Sequence, residues 1–173
     1  MRLFIAIRLS DAMKDSLVCT QRTLHDRGVR GNYTPQDNLH LTLAFIGEYT
    51  DAETVLDALS SVSFRPFEID LEGMGCFGDL WWAGMRDSSP LSAVVRRIRR
   101  ALAESGIPFD KKRFRPHITL IRKATGEMPG AAPEPVSMRV DTISLMRSDR
   151  GRNGMLYTEL GTLEAEEPEQ PDL

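Results

Sequence analysis

Two short stretches of this 173-residue chain carry residues suited to acid–base work. His40-Leu41-Thr42-Leu43 in the first half is echoed by His117-Ile118-Thr119-Leu120 in the second. The chain has only three histidines, and two of them hold the same place in the two copies. In a strand, residues i and i+2 share a face, so His40 points with Thr42 and His117 with Thr119. Each strand then offers an imidazole and a hydroxyl roughly 6–7 Å apart. Histidine titrates near pH ~6.5, so one ring can be neutral while another is protonated. Such a pair can act as general base and general acid on opposite sides of a phosphorus undergoing in-line displacement. Threonine hydroxyls can donate to non-bridging phosphate oxygens. Zinc catalysis would want about three protein ligands, more than one histidine per strand supplies, so no metal or other cofactor is expected. The third histidine, His25, sits in the polar run Leu24-His25-Asp26-Arg27 and reads as a surface residue.

Positioning these groups requires two strands with helices to cover them. Leu3 to Leu9 reads as a strand, mostly apolar on both faces. Ser10 can cap a helix over 11–27, with Gly28 at its exit. Gly31 to Asn38 is turn-rich, and Leu39 to Ile46 is the first histidine strand, ended by Gly47. Thr50 with Glu53 forms a capping box for a helix over 51–62. Phe67 to Leu71 and Leu80 to Met85 read as strands around glycine-rich turns. Ser89-Pro90 opens a third helix with the stripe Leu91, Val94, Val95, Ile98 and Leu102, closed by Gly106. His117 to Ile121 is the second histidine strand, Ala124 to Pro135 a surface loop, and Met138 to Met146 and Met155 to Leu160 late strands. Strands and helices without regular βαβ spacing argue for an α+β, mainly antiparallel fold.

The length fits one domain of ~100–200 residues. We expect it to span 1–163, with an acidic, disordered tail over 164–173. At 41% hydrophobic and 27% charged residues, the composition excludes wholesale disorder. No apolar run reaches the roughly 20 residues of a membrane span, and the apolar patch after Met1 is too short for a secretory leader. Cys19 and Cys76 lack metal-type spacing and are expected as free thiols in a cytoplasmic protein. The net charge of −3 argues against a sequence-blind nucleic-acid coat. The charge is nevertheless uneven. Arg96, Arg97, Arg99, Arg100, Lys111, Lys112, Arg113, Arg115, Arg122 and Lys123 face only Glu104 and Asp110 over the same stretch. They form either a solvated helix face or a basic rim that attracts a phosphate-bearing ligand.

At its two motifs the chain resembles the two-histidine phosphoesterases. More narrowly it resembles the LigT-like RNA 2′,3′-cyclic phosphodiesterases, also called 2′-5′ RNA ligases. The similarity rests on Arg2 to Ile7, on Asn38 to Glu48, on Leu80 to Gly84 and on Phe114 to Arg122. The resemblance implies a bilobal fold, two pseudo-symmetric lobes of antiparallel sheet with flanking helices around a central cleft. It implies His40 as proton donor to the leaving 3′ oxygen and His117 as the base that activates water, giving a 2′-phosphomonoester. Thr42 and Thr119 are the hydroxyls placed to contact the phosphate, and the resemblance adds a phosphate contact from Arg122. Strand parity opposes the last, because an odd offset from His117 turns Arg122 away unless the strand bulges or ends. Tyr33, Ala44 and Ile46 depart from the tryptophan, lysine and leucine frequent in the family, which leaves nucleotide preference open.

The first expectation is a metal-independent phosphodiesterase, monomeric and away from membranes, acting on RNA ends or small cyclic nucleotides. The same residues would serve an enzyme, hydrolase or ligase, for another cyclic or 2′-5′ linked phosphodiester. A nucleotide- or RNA-binding module without turnover is the alternative of a different class. A binder needs no acid–base pair, so the duplicated histidine and threonine speak against it.

Overall fold

The computed structural model describes residues 1–128 and 130–167. Its strands are β1 (Arg2–Arg8), β2 (Arg30–Tyr33), β3 (His40–Glu48), β4 (Phe67–Phe77), β5 (Leu80–Met85), β6 (His117–Thr125), β7 (Ser137–Val140), β8 (Thr142–Gly151) and β9 (Gly154–Glu164). Its helices are α1 (Asp11–Asp26), α2 (Ala52–Ser60) and α3 (Ser89–Glu104), with one 3-10 turn at Gln36–Asn38. Each α-helix starts on a side-chain cap. Ser10 accepts from the Met13 amide, Asp51 from the Thr54 amide and Ser88 from the Leu91 amide. The expected Thr50 cap is therefore replaced by Asp51, whose carboxylate also takes the Thr54 hydroxyl at 2.6 Å. Among the described residues, no helix is long and apolar enough to cross a membrane.

The strands form two antiparallel sheets, ordered β3-β1-β8-β9 and β2-β6-β5-β4-β7. The unit β1–α1–β3 parallels β5–α3–β6: a strand, a helix, then a histidine strand that returns beside the first. The order β3-β1-β8-β9 thus matches β6-β5-β4-β7, with β2 added outside β6. The fold is α+β, as the pattern of elements suggests, and bilobal, as the resemblance implies.

Both histidine strands bulge at the same place. In β3, Ala6 pairs with Thr42 and Ile5 with Ala44, so Leu43 is the extra residue. In β6, Trp82 pairs with Thr119 and Trp81 with Ile121, so Leu120 is extra. A bulge shifts alternation by one. Leu43 and Ala44 are accordingly both buried, as are Leu120 and Ile121. The helix glutamine Gln21, itself buried, stitches the second bulge. Its side-chain amide donates to the Leu120 carbonyl at 3.0 Å and the Thr34 carbonyl at 2.9 Å.

Farther along β6 a second irregularity, between Arg122 and Thr125, faces Gly31 of β2. A Cβ at Gly31 would stand 2.9 Å from the Arg122 carbonyl, so only glycine admits the close approach. Lys123 in this irregularity takes the left-handed φ of 54°.

The inner faces of both histidine strands join one continuous core. Leu41, Leu43, Ile118 and Leu120 pack there with Leu3, Ile5 and Ile7 of β1 and Val95, Ile98 and Leu102 of α3. Burying each such side chain is worth roughly 1.5–3 kcal/mol, so the strands carrying the histidines are among the best anchored. The even residues of β1 explain its apolar outer face. Phe4 and Ala6 join Met146 and Tyr157 in a small second cluster.

Several expectations change. β2 forms inside the stretch read as turns, and β4 extends through its glycines to Phe77. The single strand read over Met138 to Met146 is two, β7 in one sheet and β8 in the other. Residues 164–167, expected in the disordered tail, are held to the body. The Ala165 amide donates to Asp141, the Glu166 amide to Phe64, and Glu167 pairs with Arg139. The remainder of that tail, residues 168–173, lies outside the described residues.

Candidate active site

The two histidine strands line one cleft of about 580 Å³ between the sheets. His40, Thr42, His117, Thr119 and Arg122 all line it. The Leu120 bulge resolves the parity objection, because it returns Arg122 to the face of His117 and Thr119. The Leu43 bulge does the same for Phe45, which occupies the place of Arg122 in the other half and is exposed to the cleft.

Each imidazole is held by a backbone carbonyl two residues upstream. His40 Nδ1 lies 2.7 Å from the Asn38 carbonyl, and His117 Nδ1 lies 2.7 Å from the Arg115 carbonyl. A carbonyl only accepts, so Nδ1 carries a proton in both rings and Nε2 is the variable nitrogen. His40 Nε2 is 2.9 Å from Thr42 Oγ1. With the ring neutral, the threonine hydroxyl donates to it.

The rings rest on different walls. His40 sits against Phe4 at 4.9 Å and edge-on to Tyr157 at 5.2 Å between centroids. Burial in this apolar setting lowers its pKa from the ordinary histidine value. The Asn38 carbonyl opposes that shift, and the positive charges of Arg122 and His117 add to it. His117 stands edge-on to Phe77 at 5.1 Å, with Trp82 behind at 6.2 Å. Trp82 lies flat over Gly75, where a Cβ would come within 2.3 Å of its ring.

The basic stretch divides between cleft and surface. Arg99, Lys112, Arg113, Arg115 and Arg122 line the cleft, with Asp110 as the one acidic lining residue among the described residues. Lys123 does not line it. The Asp110 amide donates to the Phe45 carbonyl at 2.8 Å, which ties the cationic loop to β3. Arg99 reaches in from α3, donates to the Lys112 carbonyl at 2.7 Å and lies over the Phe109 ring. Sequence reasoning placed Arg99 only within a broad basic rim and did not single out Phe77 or Trp82 as site residues. Their places depend on pairings between distant segments that no local pattern encodes. His25 is exposed, as read, and both cysteines are free and exposed. Among the described residues, no three or more His, Cys, Asp or Glu side chains gather as a metal site.

Known proteins share this fold and much of this sequence. The family model of the 2′-5′ RNA ligase superfamily matches residues 22–152. An RNA 2′,3′-cyclic phosphodiesterase of Escherichia coli is 32% identical, over 92% of this chain and 93% of that protein. One of Geobacillus stearothermophilus is 27% identical over 73% of this chain, and the match spans 43% of that protein's length. E. coli LigT complexed with 3′-AMP superposes with a TM-score of 0.86 at 28% identity, covering 96% of this chain and 98% of the other. Span and identity together place the chain in the 2′-5′ RNA ligase superfamily.

Proposed function

We propose that the protein hydrolyses 2′,3′-cyclic phosphates at RNA ends or on small nucleotides, without a metal, through His40 and His117. The observation that carries this reading is the matched pair of imidazoles in one cleft, each with Nδ1 on a carbonyl, so that Nε2 is the nitrogen for chemistry, that of His40 beside Thr42 Oγ1. The names of the E. coli and Geobacillus relatives support the substrate class.

In the reaction His117 Nε2 takes a proton from water, and the resulting hydroxide attacks phosphorus. The bond from phosphorus to the 3′ oxygen breaks on the opposite side. His40 Nε2–H gives its proton to that oxygen, leaving a 2′-phosphomonoester and a free 3′ hydroxyl. Thr42, Thr119 and Arg122 hold the non-bridging oxygens, where hydroxyl and guanidinium donors meet growing negative charge. Thr42 thereby exchanges its bond to His40 for one to phosphate.

Incubation with a 2′,3′-cyclic nucleotide in EDTA tests this directly. A 2′-monophosphate should form, and His40→Ala or His117→Ala should lower turnover about 10²–10⁴-fold with the fold retained. Turnover that needs added divalent metal, or that survives either substitution, overturns the mechanism. Nucleotide binding without turnover would instead identify a binding module.

A further inference from the structure

The two halves locate the carbonyl behind each histidine by different means. In the second half, the Arg115 carbonyl that holds His117 precedes Pro116, and proline confines the residue before it to extended backbone. In the first half, the Asn38 carbonyl that holds His40 ends a single 3-10 turn. That turn closes on one strong backbone bond, Asn38 amide to Pro35 carbonyl at 2.9 Å, and one weak one, Leu39 amide to Gln36 carbonyl at 3.3 Å. Such turns are short and poorly bonded. A side chain supplies what the backbone lacks. Asn38 Nδ2 donates to the Met155 carbonyl at 2.9 Å, across to the start of β9. The partner is a carbonyl, so the amide nitrogen must face it. β9 also brings Tyr157 edge-on to the His40 ring. One residue therefore joins the turn to the strand that walls the imidazole and presents the carbonyl that fixes its tautomer.

We propose that Asn38 is a positioning residue for His40: its side-chain clip to Met155 holds its own carbonyl in place and so keeps Nε2 as the working nitrogen. This rests on the proposed two-histidine hydrolysis for its kinetic consequence, though not for its structural one. Without the clip, the turn drifts and the imidazole loses its fixed donor–acceptor sense. A sub-ångström to ångström misplacement of a reacting group costs up to about 10²-fold.

The test compares Asn38→Ala and the near-isosteric Asn38→Leu with the unsubstituted protein. Steady-state kinetics use a 2′,3′-cyclic nucleotide. Two-bond proton–nitrogen correlation spectra of the histidine rings report their tautomers. We expect kcat to fall about ten- to a hundredfold with KM little changed. The His40 ring signals should lose the single Nδ1–H pattern while those of His117 keep it. A stabilising bond with no positioning role would lower the melting temperature and leave kcat and the His40 signals alone, and that result overturns the proposal. An unchanged His40 pattern in either folded variant overturns it equally. If the unsubstituted protein fails to turn over the nucleotide, the proposed function falls, and the ring spectra alone decide the role of Asn38.

Discussion

His40 and His117 share a motif but not a surrounding. His40 is half-buried between Phe4 of β1 and Tyr157 of β9, strands that the local pattern His-x-Thr gives no hint of. Burial there penalises the imidazolium, and the Arg122 and His117 charges add to the penalty. In the empty cleft His40 is therefore held toward its neutral form, whereas the assigned acid must be protonated. A cyclic phosphodiester is a monoanion through the neutral range. Bound beside His40, it offsets the cationic neighbours and favours the imidazolium. The sign follows: substrate raises the pH at which the productive pair is protonated. We expect bell-shaped profiles whose apparent pKa values belong to the pair. The kcat profile, which reports the complex, should lie at higher pH than the kcat/KM profile, which reports the free enzyme. Measurement from pH 5 to 9 with a substrate whose chemistry is rate-limiting checks this. Profiles that coincide, or a kcat profile displaced downward, would remove the substrate-assisted protonation of His40.

The strands aim these side chains through bulges, and the bulges left only a faint trace in the sequence. Leu43-Ala44 and Leu120-Ile121 are successive apolar residues where strict alternation would place a polar one. That trace shows a break in period, but not which partner strand accommodates the extra residue. The same limit explains β2, which exists only through its pairing with β6, and the division of β7 from β8, where one strand-like stretch changes sheets at Asp141. By contrast, the Ser10 cap of α1, the histidine strands and the core stripe of α3 were legible, because capping residues and apolar spacing are local, even though the caps of α2 and α3 each fall one residue from where they were expected. Gln21 carries the test at this scale. Its amide satisfies the Leu120 bulge carbonyl from inside the protein. Replacing it with the similarly shaped methionine leaves buried carbonyl capacity unmet, which costs about 1–3 kcal/mol. Denaturant unfolding should show that loss. Because the bulge turns Arg122 into the cleft, KM for a cyclic nucleotide should also rise. A stability loss with KM unchanged would mean that the pairing with β5 sets the bulge without the glutamine.

Across the whole molecule the formal charge is −3, yet among the described residues the cleft is lined by five cationic side chains and one carboxylate. Acidic groups elsewhere, such as Glu48, Glu68 and Glu167, give the chain its sign, so net charge alone misrepresents the surface a ligand meets. Clefts lined by one sign of charge concentrate ligands of the other. An RNA end carries phosphates beyond the reacting one, and a cyclic mononucleotide carries none. Arg122 lies with the histidines on the strand face that would meet the reacting phosphate in the proposed reaction, while Lys112, Arg113 and Arg115 belong to the exposed loop leading up to His117. Only the longer substrate has charge to place against that loop. Exposed ion pairs are screened over about 8–10 Å at moderate ionic strength. Raising salt should therefore increase KM for a short oligonucleotide 2′,3′-cyclic phosphate more than for the mononucleotide, with kcat little altered for either. Substituting Lys112 and Arg113 with glutamine should reduce the difference between the two substrates while leaving the mononucleotide almost untouched. Equal salt effects on both would leave the two histidines in place and assign the loop's charge to solvation, which would make small cyclic nucleotides the better fit to the cleft.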